Sequence, residues 1–430
     1  MTLQDLFKRY GRWLIAVSVA ALTACGGGGS SSKASGGSDA ISAPVISGAN
    51  VQAVRVGSGP AGAPRVANVL YTKVRVCAPG STSNCQTIDH VLVDTGSTGL
   101  RLLKSVVNVS LSNALPRNSL YNCTQFLDGS YMWGPVVKAD VYMGGEKLNG
   151  VKASNLPMQL VITSNESPTA PLTCQGSAPE PDSNDSVSKL GANGILGIGT
   201  DPYDCGTDCA NSSGNNVYYK ENGLTATSSI AALSDQVRHP VSLFETDNNG
   251  TLIELPSLPG GLAPQVNGWL IFGIGTRDNN QRGQATVFEG ASRYSYAQFK
   301  TDYNAKSDLQ GFIDSGSNGL FFGSRPVGAF EFCPDDPFSE LPSPWYCPST
   351  NITLPVTNRS LIPGDPSSTV SLQITNATAL FATPGAYAYS TLAGEIGQSD
   401  LFDFGLPFFF GRKVFTAISD ESGNGAYVAY

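Results

Sequence analysis

Two similar octets decide which fold this chain can adopt: Val93–Leu100 reads VDTGSTGL, and Ile313–Leu320 reads IDSGSNGL. They share an Asp, two Gly, a Ser and a Leu at equivalent positions. Each octet follows a short apolar segment and leads into another, so the pattern of strand, Asp-Thr/Ser-Gly turn and strand occurs twice. One copy alone would indicate only a turn. Two copies with matching flanks indicate a duplicated structural unit.

The composition favours short strands joined by turns. Of 430 residues, 41% are hydrophobic and only 14% are charged, and the chain contains 48 Gly and 27 Pro. These values disfavour a disordered, coiled-coil or collagen-like chain, and we expect an all-β protein. The formal net charge is −8, from 26 basic and 34 acidic residues. An acidic chain without a basic tract is not expected to bind nucleic acid.

The first 45 residues predict export and a lipid anchor. Basic residues precede the apolar run Trp13–Leu22, which is too short to span a bilayer comfortably and is typical of a secretory signal. This run ends in LTAC, which resembles the bacterial lipoprotein box, so residues 1–24 are predicted to be a signal peptide and Cys25 the lipidated residue. Residues 25–45 would form a Gly/Ser-rich tether. Gly26 favours sorting to the outer membrane; an ordinary signal peptide with a chance cysteine is the alternative.

Eight cysteines follow Cys25, and an even number in an exported chain indicates disulfides rather than a metal site. Three pairs are close enough in sequence to close local loops, and the remaining two cysteines could close a longer one, although other pairings stay open. The candidate pairs are Cys77 with Cys85, Cys205 with Cys209, Cys333 with Cys347, and Cys123 with Cys174. No metal and no cofactor are expected, because no C-x-x-C spacing occurs and the chain has only two histidines.

The two octets resemble the catalytic loops of the pepsin-like aspartic peptidases. Further segments resemble elements of that family in the same order along the chain: 67–76, 193–199, 268–275 and 404–418. The resemblance implies a bilobal all-β fold with a cleft between two related lobes. The first lobe would comprise residues 46–265 and the second residues 266–430, each with one Asp loop.

The resemblance also implies the site residues. Asp94 and Asp314 would form a catalytic dyad. The supporting residues of the two loops would be the amides of Gly96 and Gly316 beside the carboxylates, Thr95 and Ser315 bracing the loops against each other, and the hydroxyls of Ser97 and Ser317 on the outer carboxylate oxygens. Tyr131 is the candidate for the aromatic residue of the flap, the hairpin that covers a bound peptide in this family, although Phe126 falls nearest the expected position and Tyr131 lies a few residues beyond it.

The chemistry needs two carboxyls close together. Like charges in a partly dehydrated cleft repel, so one pKa rises and the pair shares a proton. The ionised carboxyl can then take a proton from water while the protonated one hydrogen-bonds the scissile carbonyl. We therefore predict a membrane-anchored endopeptidase that acts on polypeptides.

Two other functions remain open from the sequence. A non-catalytic protein could use the same scaffold to bind a protein or glycan at the cell surface. A serine hydrolase could use His90 or His239, but neither Ser97 nor Ser317 lies in a G-x-S-x-G elbow.

Overall fold

The computed structural model of the chain describes residues 40–111, 119–175, 182–289, 298–323, 330–334, 343–362, 364, 366–420 and 425–430. Within these ranges the regular structure is predominantly β, which confirms the predicted all-β class. The predicted signal peptide, the lipidation residue Cys25 and most of the tether lie outside the described residues.

The strands are short and follow one another closely. The first twelve are β1 Ile41–Ser42, β2 Val51–Val56, β3 Leu70–Cys77, β4 Cys85–Asp94, β5 Thr98–Leu103, β6 Leu120–Gln125, β7 Tyr131–Met143, β8 Val151–Val161, β9 Gly194–Ile198, β10 Tyr218–Asn222, β11 Thr225–Ser228 and β12 Gly250–Glu254. The others are β13 Leu262–Ala263, β14 Val266–Phe272, β15 Val287–Glu289, β16 Phe299–Tyr303, β17 Lys306–Ile313, β18 Leu320–Phe322, β19 Ile352–Arg359, β20 Ser367–Ile374, β21 Ala388–Tyr389, β22 Ala393–Gly394, β23 Leu401–Phe404, β24 Lys413–Ala417 and β25 Tyr427–Ala429.

Helices are few and short in the described part of the chain. The α-helices are α1 Leu172–Gln175, α2 Val187–Leu190, α3 Thr207–Asn211 and α4 Ala377–Phe381. Single 3-10 turns occur at Lys104–Val106, Leu233–Asp235, Pro240–Leu243, Asp278–Asn280 and Leu406–Phe409. The longest of these described helices has five residues, and none of them could cross a membrane.

Sixteen strands form one large sheet. Its order is β11-β10-β6-β7-β8-β5-β9-β4-β3-β2-β14-β12-β24-β25-β15, with β1 beside β14. A further antiparallel pairing of β7 with β3 closes β3, β4, β9, β5, β8 and β7 into a ring. Strands distant in sequence therefore meet in this sheet, for example β2 with β14.

A second sheet has seven strands, in the order β20-β19-β16-β17-β23-β18-β22. The strands β13 and β21 form a separate two-stranded sheet. The main hydrophobic core lies between elements of the two larger sheets, because it contains Val93 and Leu196 of the first as well as Ile313 and Phe404 of the second.

The same three-strand arrangement occurs once in each larger sheet. In the first sheet β9 lies between β4 and β5, parallel to β4 and antiparallel to β5. In the second sheet β23 lies between β17 and β18, parallel to β17 and antiparallel to β18. The two octets connect β4 to β5 and β17 to β18, so both Asp-Gly turns lie at the same place in a duplicated unit.

All four candidate disulfide pairings, the three local ones and the longer-range Cys123–Cys174, are present among the described residues. The Cα–Cα distances are 4.0 Å for Cys77–Cys85, 5.7 Å for Cys123–Cys174, 5.6 Å for Cys205–Cys209 and 4.7 Å for Cys333–Cys347. These pairings confirm the prediction of disulfides and indicate an oxidising environment, which agrees with export.

Candidate active site

The first loop holds Asp94 at the end of β4. The amide of Gly96 donates to Asp94 Oδ1 at 2.8 Å, and the Ser97 hydroxyl donates to Asp94 Oδ2. The Asp94 side chain is buried, with only 6% of its surface exposed. Each carboxylate oxygen thus has a fixed donor from its own loop, which compensates for the loss of water around a buried carboxyl.

The second loop repeats these contacts around Asp314, which follows β17. The Gly316 amide donates to Asp314 Oδ1 at 2.7 Å, and the Ser317 hydroxyl donates to Asp314 Oδ2 at 2.9 Å. The hydrogen-bond pattern of the first loop and that of the second are therefore the same, residue for residue.

The two loops are joined by four hydrogen bonds from Thr95 and Ser315. The Thr95 amide donates to Ser315 Oγ at 3.1 Å, and the Ser315 amide donates to Thr95 Oγ1 at 2.9 Å. Each hydroxyl then donates to a strand carbonyl of the opposite loop, Thr95 to Ile313 at 3.1 Å and Ser315 to Val93 at 2.8 Å. Both side chains are buried, so this reciprocal pattern fixes the relative position of the two aspartates.

The two carboxyls face each other across the glycines. A Cβ atom on Gly96 would lie 2.7 Å from Asp314 Cγ, and one on Gly316 would lie 2.6 Å from Asp94 Oδ1. The side chains of Asp94 and Asp314 also hydrogen-bond each other. A hydrogen bond between two carboxyls requires a proton on one of them, because an ionised carboxylate only accepts.

The environment of Asp314 favours its protonated form. Burial raises the pKa of Asp314 well above its ordinary value, and the negative charge of Asp94 and the hydrogen bond between the two side chains raise it further. The donors from Gly316 and Ser317 act in the opposite direction without cancelling the shift. Asp314 is therefore favoured to keep its proton under conditions where an isolated aspartate would be ionised.

Both carboxyls lie in a cleft of about 440 Å³. Residues of the β4–β5 loop and the β6–β7 hairpin line one side, and residues of the β17–β18 loop and the segment 395–398 line the other. Seven of the described lining residues are acidic and one is basic: Arg101, which pairs with Asp204 at 3.4 Å. A cleft of this charge disfavours acidic ligands.

Residues 47–430 match a family described as "Protein of unknown function (DUF3443)". The chain belongs to this family. The matched region contains both aspartate loops and the whole cleft lining. No curated protein matches the chain.

The β6–β7 hairpin of this DUF3443 protein does not bring Tyr131, the residue expected at the flap, to the cleft. Tyr131 is buried, packs in a cluster with Tyr121 and Trp133, and is not among the residues that line the cleft. Phe126, Leu127 and the residues beyond them at the hairpin turn line it instead. The structure therefore places Phe126, not Tyr131, at the cleft, because the Tyr131 side chain points from the first residue of β7 into the packed side of the hairpin.

A third carboxyl, Asp403, was not singled out by the sequence. It lies on β23, lines the cleft and has only 3% of its surface exposed. The strand pairings make Asp403 equivalent to the apolar Ile195 of the other three-strand unit, a correspondence that becomes visible only in the structure. An acidic residue at a position that is apolar in the other copy marks a functional candidate.

The two histidines are not arranged as the bases of a serine hydrolase. His90 Nε2 lies 2.7 Å from Arg55 Nη2, and buried His239 accepts a hydrogen bond from the Val241 amide. The Ser97 and Ser317 hydroxyls donate to the aspartates of their own loops. Burial lowers the pKa of His239 to about 4.

The described residues contain no cluster of three or more His, Cys, Asp or Glu side chains arranged to hold a metal ion.

Proposed function

We propose that this protein is an aspartic endopeptidase with the bilobal pepsin-like fold, in which Asp94 and Asp314 are the catalytic dyad. The observation that carries the proposal is the close approach of the two carboxyls. Each carboxyl lies against the glycine of the opposite loop, and each accepts a hydrogen bond from the equivalent amide of its own loop. Two unrelated turns would have no reason to meet with the same donor set in a cleft.

The chemistry follows from the shared proton. A water molecule bound between the carboxyls gives a proton to the ionised aspartate and attacks the scissile carbonyl carbon, while the protonated aspartate donates to the carbonyl oxygen. The proton taken from water then passes to the amide nitrogen as the C–N bond breaks, which releases the amine and a carboxylic acid. The raised pKa of Asp314 makes it the proton-holding member before attack. The reaction then needs neither a histidine nor a covalent intermediate.

The substrate class is an extended polypeptide. Strand-like backbone pairing in a cleft supplies affinity, and pockets for alternate side chains supply selectivity. The acidic lining favours neutral and basic side chains over acidic ones. The hairpin turn around Phe126 is suited to cover the bound peptide.

We further propose that the mature protein is a lipoprotein anchored through Cys25, on the periplasmic or outer face of the outer membrane. The apolar run before LTAC and the tether after it support this proposal. Incorporation of a labelled fatty acid should be lost in Cys25→Ser and retained in the wild type. Equal labelling of the two proteins would rule out this anchor.

The deciding experiment is cleavage of an unfolded protein substrate by purified protein from acidic to neutral pH. Asp94→Asn and Asp314→Asn should each lower the rate by about three orders of magnitude, because one carboxyl cannot act as acid and base together. Asp302→Asn, which changes a carboxyl outside the cleft, is the matched control and should leave the rate unchanged. A statine-type transition-state mimic should inhibit the wild type. Absence of cleavage that depends on Asp94 and Asp314 would favour the non-catalytic binding protein instead.

A further inference from the structure

Asp403 is buried in a setting that does not suit a carboxylate. It is 3% exposed, and its Oδ1 atom has no hydrogen-bond partner. The described residues form no ion pair with it. An ionised carboxylate oxygen without a donor is far more costly to bury than the carbonyl oxygen of a neutral acid.

The Ser317 hydroxyl lies between two carboxyls. It donates to Asp314 Oδ2 at 2.9 Å, and it also lies within reach of the Asp403 side chain, where a hydrogen bond donated to the carboxylate would lower the pKa of Asp403. A serine hydroxyl has one hydrogen and can donate it to only one acceptor, although its oxygen can accept from another group. Since the Ser317 hydrogen goes to Asp314, a hydrogen bond between Ser317 and Asp403 has to be donated by a protonated Asp403.

The charges around Asp403 favour the same state. Burial raises the pKa of Asp403 well above its ordinary value, and the negative charge of the Asp94–Asp314 pair raises it further, which outweighs the lowering that a hydrogen bond donated by Ser317 would cause. On the neighbouring strand β17, Lys306 donates to the Gly323 carbonyl at 2.6 Å, and Asp308 pairs with Lys300 and Arg359.

We propose that Asp403 is a neutral carboxylic acid that donates its proton to the Ser317 hydroxyl and so directs the single Ser317 hydrogen to Asp314. Asp403 is thus a positioning residue. It acts on the dyad through Ser317 and keeps a donor on the outer oxygen of Asp314. This inference deepens the proposed function and rests on it for its effect on rate, but the protonation of Asp403 can be measured without any substrate.

The duplication provides the matched comparison. On β23, Asp403 lies opposite Phe312 of β17 and Phe321 of β18. On β9, Ile195 lies opposite the equivalent residues of β4 and β5. Both side chains are buried and line the cleft. The first loop therefore holds Asp94 without an acid at this position, and the second loop has one.

The test compares three variants of the full chain with the wild type. Asp403→Asn keeps a neutral donor of the same size, Asp403→Leu keeps the size and removes the donor, and Asp302→Asn, a change outside the cleft, is the control. We expect kcat for Asp403→Asn to stay within about twofold of the wild type, and kcat for Asp403→Leu to fall about 10- to 100-fold with KM little changed, because a lost hydrogen bond to a charged group has this effect. Asp302→Asn should have little effect on either constant.

Infrared difference spectroscopy on the substrate-free protein supplies the second readout. The C=O stretching band of a protonated carboxyl should be present at neutral pH in the wild type and in Asp314→Asn, and it should lose the Asp403 contribution in Asp403→Asn. An equal loss of kcat in Asp403→Asn and Asp403→Leu would overturn the inference, because it would mean that the anion is needed. The absence of an Asp403 band would overturn it as well. Failure of the wild type to cleave any substrate would refute the proposed function alone, since the band would still report the state of Asp403.

Discussion

At the scale of single residues, positions 96 and 316 require glycine because of the carboxyl of the opposite loop, not because of their own backbone conformation. Neither has a positive φ, so a larger residue could adopt the backbone conformation at both positions. A Cβ atom would nevertheless approach the opposite aspartate to within 2.7 Å at Gly96 and 2.6 Å at Gly316. The need for glycine is therefore a need for space at the dyad.

We expect Gly96→Ala and Gly316→Ala each to lower the cleavage rate about 100-fold, because a displacement of about 1 Å at reacting groups has an effect of this size. Gly260→Ala is the control: it also has no positive φ, and its Cβ atom would meet nothing within 4 Å. Steady-state kinetics with a peptide substrate measure the effect. Wild-type rates in both loop variants would mean that the carboxyls do not need this contact.

At the scale of elements, the two loops are held together by buried reciprocal hydrogen bonds. Thr95→Val should lower the free energy of unfolding by about 1–3 kcal/mol, because it leaves the Ser315 amide and the Ile313 carbonyl without their partner in a buried site. Thr353→Val, a change at an exposed position of β19, is the control. Urea unfolding measures the difference, and equal stabilities of the two variants would contradict the argument.

The disulfides should differ in the stability that they provide. The Cys123–Cys174 bond closes a loop with a sequence separation of 51, whereas Cys205–Cys209 closes one with a separation of 4. Chain-entropy arguments give about 4 kcal/mol for the longer loop and about 2 kcal/mol for the shorter one. Replacing both cysteines of a pair by alanine and measuring thermal unfolding should reproduce this order. A larger loss from the short loop would show that loop entropy is not the main contribution.

At the scale of the whole molecule, the free energy of unfolding depends on pH through two groups of carboxyls that act in opposite directions. Asp314 and Asp403 have raised pKa values, chiefly through burial, so their contribution is present at low pH and is lost as pH rises through the raised values. The hydrogen bonds from Arg359 lower the pKa of Asp302, so its contribution is present above the ordinary carboxyl pKa and is lost as pH falls through the lowered value.

The melting temperature of the wild type should therefore decline on both sides of a maximum at acidic pH. The double variant Asp314→Asn/Asp403→Asn should show a weaker decline toward neutral pH, because the amides do not titrate. Asp302→Asn should weaken only the decline at the acid end. If the double variant loses stability toward neutral pH as steeply as the wild type, then the cleft carboxyls are not the cause.

The sequence by itself determined the class of the protein and the local units of its site. Short apolar segments, frequent turn residues and the repeated Asp-Thr/Ser-Gly pattern act over a few positions, so they can be read without coordinates. The disulfide pairs close in sequence could be predicted for the same reason. The duplication also selected Asp94 and Asp314 as a pair before any distance was known.

The tertiary structure alone decided what surrounds those units. Which hairpin residue reaches the cleft depends on the direction of each side chain in a packed strand pair, and this placed Phe126 at the cleft and Tyr131 in the hairpin core. The protonation of a carboxyl depends on its burial and on charges brought near it by the fold, which is why Asp403 looks ordinary in the sequence. Local patterns carry strand and turn preferences, whereas desolvation and charge coupling arise only when distant segments pack together.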